Sequence, residues 1–171
     1  MDAPTVVRRM ARLALLELVN VGLLAWVFFG AFDVPATAPN LVGYGLMALV
    51  LLEGAGYWAA KHRQVRTGAA SPPAITTFRR LRRINVVALA AGAIVIVVAS
   101  WRDPGTRSWP GVGFWAFALA EHVNYFHVQL MHDTAADVRR LLRTRRLRRS
   151  HLAVDLDRSR GPSPTTVRDH R

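Results

Sequence analysis

The stretch from Ala120 to Asp133 concentrates the side chains of this sequence that could do chemistry. Before its terminal Asp133 it holds one carboxylate, three imidazoles, two amides and a phenol, which are Glu121, His122, Asn124, Tyr125, His127, Gln129 and His132. The stretch continues an apolar run that begins near Gly111, so we expect it to lie in a membrane. Because a bilayer penalises each polar group that lacks a partner, so many on one helix need partners, water or a ligand.

The histidines of this stretch do not have the spacing of a metal site. They follow each other at intervals of five residues, whereas metal-binding pairs on a helix are spaced by three or four. A spacing of five turns successive rings about 140° apart. The chain has no cysteine, which excludes disulfides, thiolate catalysis and cysteine-ligated metal centres. We therefore predict neither a metal nor a cofactor.

A glutamate followed four residues later by a tyrosine occurs twice, as Glu53 with Tyr57 and as Glu121 with Tyr125. Residues at this spacing lie one above the other on a helix. These two glutamates and Glu17 fall inside apolar runs, whereas the aspartates lie outside the runs or at their ends. Carboxylates within a membrane usually face a protein interior or a wet cavity. Two of them in one pocket could serve as an acid and a base.

These patterns predict one site in the membrane. The predicted catalytic residues are Glu121, Glu53, Tyr125 and Tyr57. The predicted substrate-binding residues are Asn124, His127, Trp58, Phe126, His122, Gln129 and Glu17. Their aromatic faces could stabilise a cation. The alternative for each polar residue is a structural hydrogen bond between helices.

Four apolar runs would position this site. They cover approximately residues 13–31, 41–60, 84–101 and 111–131 of the 171, each long enough to span roughly 30 Å of hydrocarbon. The third run has no polar side chain between Val86 and Val98, whereas each helix of a soluble bundle keeps a polar face. The predicted fold class is therefore all-α, an integral membrane four-helix bundle, located as a multi-pass protein in the cell membrane.

The positive charges alternate along the chain. The formal net charge is +12, and all but two of the 23 Lys and Arg residues lie in the blocks Arg8–Arg12, Lys61–Arg83 and Arg139–Arg171. Because basic residues remain on the cytoplasmic side, this alternation predicts that both termini are cytoplasmic. Anionic lipid headgroups are then the expected partners of these blocks. Nucleic acid is not expected, since the Arg-rich tail has no aromatic residues on which bases could stack.

The C-terminal part changes in composition. Residues 1–156 are predicted to form the membrane domain, with a basic amphipathic helix from about 133 to 150 lying along the headgroups. Residues 157–171 are rich in Ser, Gly, Pro and Arg and are predicted to be a disordered basic tail.

Two halves of the chain can be aligned with each other. Val7-Arg8-Arg9-Met10 corresponds to Phe78-Arg79-Arg80-Leu81, and Val42-Gly43-Tyr44 corresponds to Val112-Gly113-Phe114. The two Glu-x-x-x-Tyr segments also correspond to each other, but the spacing from glycine to glutamate differs by two residues between the halves. A parallel repeat of two helices is one explanation, and chance similarity is the other.

Three functions fit these features. The first is an enzyme with a pocket open to the cytoplasmic side, which acts on a lipid-like or isoprenoid substrate by acid/base chemistry. Protonation of the kind that terpene cyclases use is one version of it. The second is a small proton-coupled transporter, and the third is a structural or regulatory subunit that binds another copy or another membrane protein. The apolar outer half of the runs favours a one-sided pocket and hence the enzyme.

Overall fold

The computed structural model describes residues 3–104, 107–130, 147 and 149–159. Of these residues, 82% are helical, in five α-helices and one π-helical segment, and none lies in a strand, which confirms the predicted all-helical class. The helices are α1 (Ala3–Ala25), α2 (Ala38–Thr67), α3 (Ile75–Arg102), α4 (Trp109–Phe126) and α5 (His151–Arg158). A π-helical segment of six residues, Trp26–Ala31, follows α1 directly.

Three of the described helical segments are long and apolar enough to cross a membrane. They are Thr5–Ala31, Ala38–Thr67 and Ile75–Arg102, with 27, 30 and 28 residues. The segments containing α1 and α3 also expose large apolar side chains, such as Val87 of α3 with 70% of its surface accessible. Exposed apolar surface of this extent is typical of membrane proteins. α4 is not among the three, because its second half carries Glu121, His122 and Asn124.

The helices differ in length from the predicted spans. α2 and α3 continue beyond the apolar runs through basic residues, because a helix can extend from the membrane into water. α2 ends at Thr67 and is capped by Gly68, whose φ of +66° suits a left-handed C-cap. α4 ends at Phe126 rather than near residue 131, because the backbone of His127 leaves the helical region at φ −130° and ψ −75°.

α2 lies at the centre of the packing, in contact with α1, α3 and α4. We call the end of the molecule that contains Lys61, the segment 79–83 and α5 the basic end. The opposite end carries exposed tryptophan and phenylalanine side chains, and we call it the aromatic end; these are Trp26, Phe32, Trp101 and Trp109.

α2 and α4 approach each other most closely at the aromatic end. A Cβ atom at Gly43 would collide with the Gly111 carbonyl group, so the two glycines permit contact between the backbones. Asn40 is fully buried there, and its side-chain oxygen accepts a hydrogen bond of 2.8 Å from the backbone N–H of Gly111. The ring of Phe28 in the π-helical segment packs edge-on against that of Phe114, with centroids 4.7 Å apart.

α5 packs against the basic end of the long helices. Its N-cap is Ser150, whose hydroxyl accepts a 3.1 Å hydrogen bond from the backbone N–H of Ala153. Leu152 and Leu156 are buried in a cluster with Tyr57, Phe78, Tyr125 and Phe126. This helix includes Asp157 and Arg158, which the sequence analysis predicted to belong to the disordered tail.

Most of the predicted helix at 133–150 and most of the tail lie outside the described residues. Between residues 133 and 150 the structure describes Leu147, Arg149 and Ser150, and none of these three residues is helical. Arg149 instead pairs with Val128 in an isolated antiparallel bridge.

Candidate functional site

Tyr125 connects α4 to α1 near the basic end. Its hydroxyl donates a hydrogen bond to Oε1 of Glu17, and the tyrosine is 7% exposed. The ring lies directly against Gly54 of α2, where a Cβ atom would overlap the phenol. The small residue on α2 therefore allows the phenol of α4 to reach the carboxylate of α1.

Glu121 lies one turn before Tyr125 and completes what we call the carboxyl–phenol cluster, consisting of Glu17, Glu121 and Tyr125. Its carboxylate interacts electrostatically with both other members. Asn124 donates a hydrogen bond of 3.2 Å to Oε2 of Glu121. The Asn124 side-chain oxygen accepts a 2.8 Å bond from the backbone N–H of Leu130, so the chain beyond α4 orients the amide that holds Glu121.

Glu53 bonds to a different neighbour. Its Oε2 accepts a hydrogen bond of 2.6 Å from the side-chain amide of Asn85 on α3. Both residues are buried, with 9% and 1% of their surfaces exposed. Glu53 and Glu121 thus have separate hydrogen-bond partners, and a single pocket containing both remains a prediction.

Tyr57 also donates to a carboxylate from another helix. Its hydroxyl lies 2.8 Å from Oδ2 of Asp155 on α5. Lys61, one turn further along α2, lies 3.0 and 2.7 Å from the two oxygens of the same carboxylate. The buried Asp155 is therefore neutralised by a cation and held by a phenol, and the role visible for Tyr57 is to fix α5.

Three further predicted substrate-binding residues, Phe126, Trp58 and Gln129, have different environments. Phe126 is 1% exposed and belongs to the buried cluster under α5, where it packs the core. The Trp58 ring contacts those of Tyr57 and His151, and its indole also interacts with the Tyr125 phenol. Gln129 is half-buried in the chain that follows α4.

The two described histidines of the Ala120–Asp133 stretch have different environments. His122 is 3% exposed, and neither ring nitrogen has a hydrogen-bond partner among the described residues. His127 is exposed, and its ring centroid lies 5.7 Å from that of His122. Within the described part of the chain, no three His, Asp or Glu side chains are grouped as metal ligands.

Sequence reasoning missed Asp155, Lys61 and Asn85. The signal for α5 is nevertheless present, because Ser150 is a favourable N-cap and Leu152 and Leu156 repeat at helical spacing. Asn85 gave no comparable signal, since it is a single amide at the start of an apolar run.

A shallow surface groove of about 390 Å³ lies on α3, and none of the predicted site residues lines it. Its lining residues are Arg83, Ile84, Val87, Ala88 and Ala91. The predicted substrate pocket is thus not this groove.

Comparison of the chain with known proteins gives no family. No protein-family model matches it, and neither the curated proteins nor the solved structures include a significant match. The functional argument therefore rests on the geometry of this chain.

Proposed function

We propose that this chain is a membrane-embedded enzyme that performs acid/base chemistry on a lipid-like or isoprenoid substrate. The observation that carries the proposal is the carboxyl–phenol cluster, in which Tyr125 of α4 bonds to Glu17 of α1 with Glu121 beside both. Groups that titrate are rare inside membranes and usually mark a site.

The cluster has the parts that proton transfer needs. Two carboxyl groups beside one phenol can hold a proton and pass it on without help from bulk water. In the proposed reaction the O–H bond of Glu121 breaks as the substrate gains the proton, and Glu17 accepts a proton from the product through Tyr125. The same phenol then relays that proton from Glu17 back to Glu121, which restores the starting state. Asn124 positions the Glu121 carboxylate, and the indole of Trp58, which interacts with the Tyr125 phenol, would stabilise a cationic intermediate.

The location of the cluster fits an amphipathic substrate. Glu17 follows Arg12 by five residues, or roughly 7 Å along the helix axis, so the cluster lies close to the basic end. Leu16 and Leu18 on either side of Glu17 are exposed, which supports a cluster close to the lipid. A substrate whose polar group stays at the basic surface could then reach the carboxylates from within the bilayer.

Transport requires access from both sides of the membrane. The contact between Gly43 and Gly111 and the buried hydrogen bonds of Asn40 hold α2 and α4 together at the aromatic end. This close packing favours a pocket open at the basic end alone, and hence the enzyme over the transporter.

The proposal includes a membrane arrangement. α1 to α4 each cross the cell membrane as a four-helix bundle, and both termini and the basic end are cytoplasmic. One parallel between the halves supports an internal repeat: the phenols of Tyr57 and Tyr125 each donate to a carboxylate on another helix.

Purification in mild detergent followed by mass spectrometry of bound lipids tests the function. A polyprenyl or other lipid that co-purifies with the native chain is expected to be lost from Glu121→Gln and Tyr125→Phe. Tyr44→Phe is the matched control, because that phenol bonds to the backbone oxygen of Val21 away from the cluster, at 2.9 Å. Loss of the lipid from all three variants, or a stoichiometric protein partner with no lipid, would overturn the proposal, the latter in favour of a subunit.

A further inference from the structure

Four polar side-chain atoms in the core between α2, α3 and α4 are buried without a hydrogen-bond partner among the described residues. They are Oε1 of Glu53, Oδ1 of Asn85 and both ring nitrogens of His122. Each of the three residues comes from a different helix, and each is at most 9% exposed. None of the four atoms takes part in the carboxyl–phenol cluster.

The register of α3 and α4 brings His122 to within about one helical turn of Asn85. The indole of Trp115 donates a 2.9 Å hydrogen bond to the backbone oxygen of Leu89, which fixes the two antiparallel helices side by side. His122 follows Trp115 by seven residues, so it lies on the same face roughly 10 Å nearer the basic end. Seven residues before Leu89 on α3 is Arg82, with which His122 interacts electrostatically. Asn85 follows Arg82 by three residues and so lies about one turn nearer the aromatic end.

α2 supplies Glu53 at this level. Glu53 bonds directly to Asn85, and the next residue, Gly54, lies against the ring of Tyr125, one turn beyond His122. The carboxylate, the amide and the imidazole therefore lie within about one helical turn of each other, between the three helices.

The chemistry of these atoms defines what they bind. The free oxygen of Asn85 is an acceptor, that of Glu53 accepts when the group is ionised and donates when it is protonated, and a neutral imidazole offers one donor and one acceptor. The missing partner must therefore both donate and accept hydrogen bonds, and it must be small enough for a helical core. A buried polar atom without a partner is costly, and buried water is the usual partner in protein interiors.

We propose that Glu53, Asn85 and His122 form a buried water-binding site that links Glu53 to His122. The His122 ring lies 5.7 Å from the exposed ring of His127, so the site connects Glu53 with the surface at the basic end. The bound water lets the Glu53 carboxyl group exchange hydrogen with solvent although its side chain is buried. The site does not depend on the proposed reaction, because it shares no residue with the carboxyl–phenol cluster.

A double-mutant cycle on the full chain in detergent tests the link. Glu53→Gln and His122→Phe keep the shapes of the side chains, and these residues share no direct hydrogen bond. Bridging water predicts that the losses of melting temperature are non-additive by about 2–4 °C. Glu17→Gln combined with His122→Phe is the matched control and is expected to be additive, because Glu17 bonds to Tyr125 instead. Additive losses for Glu53 with His122, or a more stable His122→Phe variant, would show that the site holds no water.

Infrared spectroscopy gives a second measurement that needs only the two single variants. The carboxyl absorption that Glu53→Gln removes is expected to shift when the native chain is transferred from H₂O to D₂O, and to shift more slowly in His122→Phe. An absorption that stays unchanged in D₂O would contradict the proposal. So would a stoichiometric metal ion found by elemental analysis and lost in both variants, since it would identify the partner as a cation.

Discussion

At the scale of single residues, the tyrosine of each Glu-x-x-x-Tyr segment donates its hydrogen bond to a carboxylate on another helix. The spacing predicts that Glu121 and Tyr125 share a helix face, but the phenol of Tyr125 extends to Glu17 on α1. Likewise, Tyr57 reaches Asp155 on α5, while Glu53 bonds to Asn85 on α3. A tyrosine hydroxyl lies far enough from its own backbone to reach a neighbouring helix, and both of these tyrosines have their partner there.

The close contact between Gly54 and Tyr125 gives a prediction at this scale. Gly54→Ala is expected to destabilise the protein by about 1–3 kcal/mol, the usual cost of overpacking a core, because the new methyl group would overlap the phenol. Gly56→Ala is the control, since a Cβ there would meet only the Phe78 ring, at an ordinary 3.9 Å. Thermal unfolding in detergent, followed by circular dichroism, measures both. Equal stability of the two variants would contradict the contact.

At the scale of elements, α5 depends on its contacts with the long helices. A helix of eight residues is marginal in isolation, so it must be held by Leu152, Leu156 and the buried ion pair between Asp155 and Lys61. The sequence shows the amphipathic pattern of α5, but the partner of Asp155 lies 94 residues earlier in the chain. No local pattern could reveal that pairing.

Asp155→Asn is expected to loosen α5 by about 2 kcal/mol or more, because it leaves Lys61 without its counter-charge. Hydrogen–deuterium exchange of the α5 amides measures the change. Asp157→Asn is the control on the same helix: its partner Arg149 is exposed, and surface ion pairs contribute roughly 0–1 kcal/mol. If the two variants exchange at the same rate, the buried pair does not hold α5.

At the scale of the whole molecule, the charges are segregated between the two ends. The basic end carries Lys61 and the arginines of 79–83, whereas the aromatic end exposes Trp101 and Trp109. A membrane would separate these two surfaces, because basic residues are retained in the cytoplasm and tryptophans favour the interface.

Labelling of single cysteines tests this orientation without background, since the chain has no cysteine of its own. Ser71→Cys, in the exposed loop between α2 and α3, is expected to react with a membrane-impermeant maleimide only in inside-out vesicles. Ala36→Cys, exposed between α1 and α2, is expected to react only in right-side-out vesicles. The opposite pattern would invert the proposed topology, and labelling of both positions from one side would exclude a single crossing by α2.

The sequence by itself determined the helical class and the presence of helices long and apolar enough to cross a membrane, because both follow from the lengths and composition of continuous runs. It also drew attention to the glutamates, since a carboxylate within an apolar run is conspicuous. The tertiary structure alone decided their partners: Glu17 with Tyr125, Glu53 with Asn85, and Asp155 with Lys61 and Tyr57. These pairs join residues distant in the chain, and the register of packed helices that brings them together depends on all their contacts at once.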